Sequence, residues 1–570
     1  MADLLNVDLS HGTVTKEALS EELEKLGGHG LTSAIVAREV DPTADPLGPD
    51  NVLVYAAGIL AGTSLPNSGR LSVGAKSPLT GGIKEANAGG SAARKMAQLD
   101  LRGIKVTGRS DSLSLLVVTA DGGTLAPADE LKGLSTRETI QGLRERYGDG
   151  VSIICAGPAG ELQLKAASVT VTTPDFRPRA AARGGLGAVM GAKNLKAVVI
   201  DDAGGHPVKP ADPAAMKAAS KSFSKGIRSH PAVGALEALG SAFLVDVANP
   251  MGCLVTRNFS AGEFEGADKI SGARLVELMA QRPNSDAKHR CMAGCVINCS
   301  QVFTDEEGNE ITSGFEFETL GLMGSNCAIT DLDQLARIDR LCDDLGLDTI
   351  EIGAAVGVAM EGGMIPWGDG AAVHELLAKL TSGDENARLI ASGCVATGTA
   401  LGVARIPAVK GQGIAAWEPR VLKGTGVTYA TSPQGGDHTA GNALPSPANP
   451  AYDPSSPDGQ APLSQFLQAY FAAIDSLGMC LFACLPPLDM PELQGHMVAA
   501  VAALTGEELP EDYLVALGSQ IVKQERDFNR RAGFTAADDR LPAFMVNEAL
   551  PPTGNRFDVS EADLDSVFAG

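Results

Sequence analysis

Two hydrophobic rhythms divide the chain. Up to about residue 202, short apolar or alternating runs recur between turns, at 51–56, 70–75, 103–107, 113–119, 151–155, 168–173 and 195–200, the pattern of β-strands. A stretch punctuated by Gly and Pro, Ala203-Gly-Gly-His-Pro-Val-Lys-Pro-Ala-Asp-Pro213, then reads as a linker. Beyond it apolar residues take up helical spacing. Leu335, Ile338, Leu341 and Leu345 share one face of a helix over 331–345, with Thr330 its expected cap and Asp333 three residues on. Leu467, Phe471 and Ile474 do the same before Gly478, after a Pro/Ser/Asp-rich loop from Pro445 to Pro462. The expected fold class is α+β, with a β-rich domain over 1–205 followed by two mainly helical domains, 206–410 and 411–570.

Both of these helices end alike. One runs into Asp343-Asp-Leu-Gly346-Leu347-Asp348 and the other into Asp475-Ser-Leu-Gly478-Met479-Cys480. Gly346 and Gly478 stand where a helix terminus favours glycine, and a new helix is expected from Asp348 and Thr349. Asp343 and Asp475 therefore fall in last turns, where a carboxylate meets the negative end of the helix dipole. The same unfavourable placement made twice points to two similar ligands.

Upstream lies Cys291-Met-Ala-Gly-Cys295-Val-Ile-Asn-Cys299. Clustered thiolates are soft ligands for zinc or iron-sulfur clusters. A continuous helix would set Cys291 and Cys299 roughly 12 Å apart, too far for one compact site, so a loop is expected here and Gly294 fits it. A zinc knuckle wants a second ligand pair, which the segment lacks; Cys480 is a distant fourth thiol, with Cys484 competing for that place.

Charge narrows the function. A net charge of -23 and a pI near 4.8 exclude the basic faces that bind nucleic acid or anionic membranes. The first residues show no signal-peptide pattern, and no apolar stretch free of Gly and charge reaches membrane-spanning length. The ten cysteines of such a chain are expected as thiols and metal ligands rather than disulfides, and the protein as soluble and cytoplasmic.

Two Gly-rich basic stretches interrupt the β-rich part: Ser68-Gly-Arg70 through Lys76 to Asn87-Ala-Gly89-Gly90, and Ala182-Arg183-Gly184-Gly185-Leu-Gly187-Ala-Val-Met-Gly191. Glycine lets backbone N–H groups approach a phosphate while the cations neutralise it, although tight turns bearing exposed charge read equally well. The second is GxGxxxG with no acidic ribose partner after it, so a dinucleotide fingerprint fails.

Taken together, the Cys cluster, the paired DxxG motifs, the distant Cys480 and the RLSVGAKSPLTGG and RGGLGAVMGAKNLKAV stretches resemble the aldehyde ferredoxin oxidoreductase family over nearly the whole chain. The resemblance implies an N-terminal β-sheet domain forming the base for two pterins. It implies tungsten or molybdenum in a bis-molybdopterin cofactor, a 4Fe-4S cluster on Cys291, Cys295, Cys299 and Cys480, and Mg²⁺ between the pterin phosphates. Asn87, Gly89, Arg183 and Gly184 would approach those phosphates, Arg70 would bridge cluster and pterin, and Asp343, Gly346, Leu347, Asp348, Asp475, Gly478 and Met479 would hold the pterin rings.

Glu318 and His438 match the Glu and His that the family sets beside the metal, although the alternation of Phe315-Glu316-Phe317-Glu318 by itself reads as a strand with both Glu on one solvated face. The implied reaction oxidises a small aldehyde to its acid and hands electrons to ferredoxin or a ferredoxin-like iron-sulfur subunit, since no second cluster's ligands are present. Related subunits reduce activated aromatic acids, and a non-catalytic iron-sulfur or zinc electron-transfer subunit is the rival from another class. A homodimer or hetero-oligomer fits either. The chain departs from the family in its C-x3-C-x3-C spacing, where C-x2-C-x3-C is commoner, in Glu418 where Asp is frequent, and in lacking the Glu-x-x-His pair that carries a bridging iron in some members; Arg337 stands where that Glu would fall.

Overall fold

The computed structural model describes residues 2–446 and 451–568. Its N-terminal part contains two six-stranded sheets. The first has β1 (Asp3–Asp8), β2 (Thr13–Ala18), β3 (Leu53–Ala57), β4 (Leu71–Lys76), β5 (Ile83–Ala88) and β6 (Leu101–Thr107). The second has β7 (Ser114–Thr119), β8 (Gly122–Pro127), β9 (Val151–Ala156), β10 (Val169–Thr172), β11 (Pro178–Ala181) and β12 (Leu195–Asp201). Their strand orders are 2-1-6-3-4-5 and 8-7-12-9-10-11, so adding six to each strand of the first sheet gives the second. Pairing directions agree as well: β1 with β6 and β7 with β12 are parallel, and every other neighbouring pair is antiparallel. The β-rich half is thus one unit built twice.

Side chains from both sheets, among them Leu5, Tyr55, Ile104, Leu116, Ile154 and Val198, form one buried core. The other face of the first sheet takes helix α1 (Gly28–Glu39), in which nine residues are buried. A helix buried on nearly all sides has no polar stripe, so its sequence carries no helical rhythm.

After the linker come α2 (Pro213–Ser229), α3 (Leu332–Leu345), α4 (Thr349–Glu361), α5 (Gln460–Leu477), α6 (Glu492–Thr505) and α7 (Tyr513–Arg531), with shorter helices between them. Packing pairs α5 with α7 and α2 with α6. Helix α3 starts one residue later than the capping pattern suggests. Its cap is Asp331, whose carboxylate accepts from Asp333 N at 2.8 Å and Gln334 N at 3.2 Å, a stronger acceptor at a helix N-terminus than the Thr330 hydroxyl. Part of the loop expected over 445–462 lies outside the described residues; α5 opens at Gln460, so Pro462 sits in its first turn, where a missing N–H costs no intrahelical bond.

The two halves of the β-rich part receive the two DxxG turns in parallel ways. Gly58 follows β3, and its neighbours Ile59 and Leu60 donate to Ser476 O at 3.0 Å and Leu477 O at 3.1 Å. On the other side, Ser168 N donates to Gly346 O and Asp348 N to Ala166 O, both at 2.9 Å. A Cβ on Gly58 would lie 2.2 Å from Gly478 Cα, and one on Gly157, just after β9, 2.5 Å from Leu345 O. Gly58→Ala and Gly157→Ala are each expected to cost about 1–3 kcal/mol or more, because backbone on both sides must separate. Gly150→Ala, with no atom within 4 Å of its Cβ, should stay within about 0.5 kcal/mol of wild type; chemical denaturation of the three variants checks the contrast.

Candidate active site

Where the sheets' ends meet the helical part, a cavity of ≈340 Å³ opens. The mouth of the first sheet supplies Arg70, Asn87 and Gly89, that of the second Arg179, and the helical part supplies Asp343, Leu347, Asp348, Glu316, Glu318, His438 and Asp475. Cys291, Cys299 and Cys480 share its wall. Residues scattered over about 400 positions of sequence thus face one space.

Glycine shapes both turns. Gly346 and Gly478 adopt left-handed φ of 71° and 77° and end α3 and α5, a conformation that costs other residues roughly 1 kcal/mol or more. Leu347 and Met479 follow, almost fully buried. Asp348 then caps α4, its Oδ1 accepting from Ile350 N at 2.9 Å, while Cys480 holds the matching place before Leu481–Cys484. Arg183 lies behind the wall, its Nη1 3.4 Å from Asp348 Oδ2, and Gly184 beside it has φ 81° with the Lys84 side chain against it. Arg70 donates Nη2 to Asn87 O at 2.8 Å and its backbone N to Gly478 O at 3.0 Å, tying the first sheet to the second DxxG turn. Gly89 abuts the first thiol: a Cβ there would sit 2.9 Å from Cys291 Sγ.

The loop expected at Cys291 to Cys299 is present, with Gly294 at φ 76°. Cys295 lies just behind the wall, its Sγ accepting from Asn67 Nδ2 and Asn298 N at 3.4 Å. Asn67 O in turn accepts from Cys480 N at 2.8 Å, so one loop of the first sheet reaches both cysteine segments. Cys484 is fully buried away from the cavity. Burial, with Cys480 and Cys295 nearby, pushes the Cys291 thiol up to about 12 against the pull of Arg179 and Arg70. The four sulfurs do not converge on one point. Among the described residues, the group whose ligand atoms all lie within 4.8 Å of one another is His29, Glu85 and Asp475.

Glu318 does not belong to a strand. Phe317–Thr319 is a helical turn that continues into Leu320–Gly324, and Glu316 is the residue just before it. The alternation of apolar and acidic residues reads as a solvated strand face; instead the backbone passes from extended at Glu316 into a helical turn, and both acids line the cavity. Glu316 accepts from Ser241 Oγ and stands close to Cys299. Glu318 Oε2 accepts from Ala416 N at 2.7 Å, whereas Oε1 has no hydrogen-bond partner and lies 3.4 Å from His438 Nε2. His438 Nδ1 is 3.9 Å from Asp437 Oδ1. Burial opposes ionisation of Asp437, but Lys84 at 2.7 Å and Arg183 at 3.9 Å overcome it and hold the carboxyl below the usual range. The aromatic pair Phe317 and Trp417, centroids 4.7 Å apart, forms an apolar part of the wall.

Several wall residues escape sequence reasoning. Asp339, one turn before Asp343, accepts from Thr312 Oγ1 at 2.6 Å and Thr319 Oγ1 at 3.2 Å; its i,i+4 spacing was the available signal. Arg179 follows no motif. Behind the wall Glu85 of β5 and His29 of α1 both meet Asp475, and the sequence does not announce α1.

The family profiles decide what this assembly is. The profile described as "Aldehyde ferredoxin oxidoreductase, N-terminal domain" matches residues 4–202, and that for "domains 2 & 3" matches 218–568. The chain belongs to the aldehyde ferredoxin oxidoreductase family. It is an oxidoreductase of that type. Tungsten-containing aldehyde ferredoxin oxidoreductases of Pyrococcus furiosus and Thermococcus kodakarensis are each 33% identical to it, over 97% of this chain and 92% of theirs. Identity with the WOR-like subunit of an aliphatic sulfonate oxidoreductase of P. furiosus is 25%, over 92% of this chain and 85% of that one. The fold is shared with the BamBC active-site complex of benzoyl-coenzyme A reductase, at a TM-score of 0.82 and 21% identity over 100% of this chain and 93% of that one.

Within this oxidoreductase, burial pushes two carboxyls far up. Asp343, with Asp339 adding to the effect, rises to about 8, and Asp475, with Glu85 adding, also rises to about 8. Each folded-state value lies above the unfolded value of about 4, so between those limits the native chain holds protons that the unfolded chain has lost. Stability must then fall as pH rises through the window. Protein freed of metal and pterin is expected to lose about 1 kcal/mol per pH unit or more between pH 5 and 8. Asp343→Asn should flatten that slope and be the more stable form at pH 8, as urea titrations at several pH values would show; an unchanged slope would refute the assignment.

Proposed function

We propose that this oxidoreductase converts aldehydes to carboxylic acids at tungsten or molybdenum carried by two pterins, and passes the electrons through a 4Fe-4S cluster to ferredoxin or an iron-sulfur partner subunit in the cytoplasm. The observation that carries the reading is the single cavity onto which both DxxG carboxylates, Glu318 with His438, and three of the four assigned thiols open. Tungsten-containing relatives one-third identical along nearly the full length support it. The described residues hold ten free cysteines, and none of their helices is long and apolar enough to cross a membrane.

The wall suits a polar group of that kind. Arg183 Nη1 and Nε, Asp348 Oδ2, Glu85 Oε1 and Glu318 Oε1 are buried without hydrogen-bond partners, which native folds rarely tolerate unless a ligand completes them. Asp343 and Asp475, with Gly346, Leu347 and Asp348 on one side and Gly478 and Met479 on the other, would hold the two rings. Asn87, Gly89, Arg183 and Gly184 would face the phosphates, with Mg²⁺ between them, and Arg70 would stand between pterin and cluster. Cys291, Cys295, Cys299 and Cys480 would take the cluster; no three of their sulfurs lie within 4.8 Å of one another, whereas a single zinc would draw them closer than that, and this favours a polynuclear site. When bound, the metal accepts the two electrons that an aldehyde gives up and the cluster moves them on one at a time.

The chain's own residues do the proton work. Ala416 N fixes one oxygen of Glu318, so the unpartnered Oε1 is aimed where it can take a proton as water or the aldehyde hydrate reacts. His438, 3.4 Å away, orients the carbonyl or carries that proton onward. Lys84 and Arg183 keep Asp437 ionised behind His438, which fixes the loop that carries the imidazole. Phe317 and Trp417 exclude water from the reacting end.

Glu318→Gln keeps shape and loses basicity, so turnover is expected to fall about 10²- to 10⁴-fold while W or Mo, pterin and iron stay near wild type. Metal analysis of the parent should give W or Mo with about four Fe per chain, and zinc alone would end the reading. Because Cys480 lines the cavity and Cys484 does not, Cys480→Ser should lower iron content and the cluster's EPR signal more than Cys484→Ser. The reverse order would reassign the fourth ligand.

A further inference from the structure

Helix α2 carries charge of the wrong sign for this chain. The protein has 69 acidic against 46 basic residues, yet the helix itself, 213–229, holds no acidic residue and exposes Lys217, Lys221, Lys225 and Arg228. At 100° per residue these four fall within about 80° of arc and span roughly 16 Å. Among the described residues none of them makes a side-chain hydrogen bond or ion pair, whereas most surface arginines elsewhere are paired. Four aligned, unneutralised cations repel one another, and no contact within the fold compensates them.

The opposite face of α2 is tied to the cysteine loop. Met216, Phe223 and Ile227 share a buried core with Met292, Cys295, Cys299 and Cys480. At the helix's N-terminal end, Pro213 and Met216 line the same surface recess as Ala293 and Gly294, the exposed tip of the loop between Cys291 and Cys295, and the exposed Arg94 stands at that recess. The basic face therefore begins beside the place where the cysteine loop reaches solvent and runs from there along the outer side of the helix.

We propose that this face of α2 is the docking surface for a small, negatively charged, one-electron carrier protein that collects electrons from the cluster. The proposal rests on the reading of Cys291, Cys295, Cys299 and Cys480 as the cluster site. Charge complementarity selects the occupant. A chain of net charge -23 repels an acidic partner as a whole while such a patch reverses the local sign, so the patch both attracts the carrier and sets its orientation. A stripe of roughly 16 Å matches the footprint of a small protein, while a membrane or nucleic acid would bring extended negative charge against the acidic remainder.

The test compares a protein acceptor with a dye. Wild-type holoenzyme, Lys217→Glu/Lys221→Glu/Lys225→Glu, the milder Lys217→Gln/Lys221→Gln, and an exposed control, Lys132→Glu, are assayed with an acidic ferredoxin and with benzyl viologen, over a range of salt. The triple variant is expected to raise KM for ferredoxin at least tenfold at low salt, to lose most of its salt dependence, and to leave dye turnover unchanged; the Gln pair should shift the same way by a smaller factor. Unchanged ferredoxin KM in both variants, or an equal rise in Lys132→Glu, overturns the proposal. Loss of dye turnover in the triple variant passes the decision to the Gln pair. Fluorescence anisotropy of labelled ferredoxin reads binding without turnover: if the wild type binds and yet reduces no dye, the functional reading fails while the surface stands, and if anisotropy shows equal binding by all four proteins, the surface fails. Preferential binding of anionic vesicles or nucleic acid to the wild type over the triple variant, with no ferredoxin binding, overturns the assigned partner.

Discussion

Each DxxG turn is stopped against a strand end that has no side chain to spare. Gly58 after β3 and Gly157 after β9 let the backbones of Gly478 and Leu345 come within contact distance, and that approach fixes where α3 and α5 terminate. The termination decides the rest. It places Asp343 and Asp475 at the cavity wall, sets Asp348 and Cys480 at the start of the next helices, and brings Arg70 within one backbone hydrogen bond of the second turn. Were either approach looser by an ångström, the side chains that share the cavity would face different ways.

The electrostatics are those of a chain prepared for something it does not itself contain. A protein interior normally pairs its polar atoms, because an orphan forfeits hydration with nothing in return. Here several unpaired atoms lie on or just behind the cavity wall and include both signs, Arg183 as well as Asp348 and Glu318. Carboxylates at the ends of α3 and α5 are set against both burial and helix dipole, and neutral acids at those places become hydrogen-bond donors as well as acceptors.

Much of this was legible in the sequence, for reasons that differ by element. Strands β3, β4, β6, β7, β9, β10 and β12 fall on runs whose alternation or continuous apolarity marks them. The DxxG turns declare themselves because a left-handed residue after a helix is nearly always glycine. Helix α1 stayed hidden, since burial on all sides erases the stripe by which helices are recognised. The duplication of the β-rich half was hidden for another reason: it is kept in strand order and pairing direction, which leave little trace in residue identity beyond the Ala-Gly pair closing β3 and β9. At the site, Glu318 and His438 came from family likeness rather than physics; local alternation favoured a solvated strand, and only the tertiary setting of Phe317 and Trp417 turns that segment into a helical turn facing inward. The Asp437 pairing with Lys84 spans 353 residues and leaves no local signal.

A container made of two like halves would by itself treat anything inside it evenly. Evenness fails most clearly at one matched pair of positions, where the turn against the second sheet offers the Asp348 carboxylate beside Arg183 and the turn against the first offers the Cys480 thiol beside the loop of Asn67. That divergence between like turns gives the interior two unlike ends, and the thiol end lies toward the side where the cysteine loop surfaces. Two chemically unlike ends thus required no new architecture, only matched positions that stopped resembling their twins.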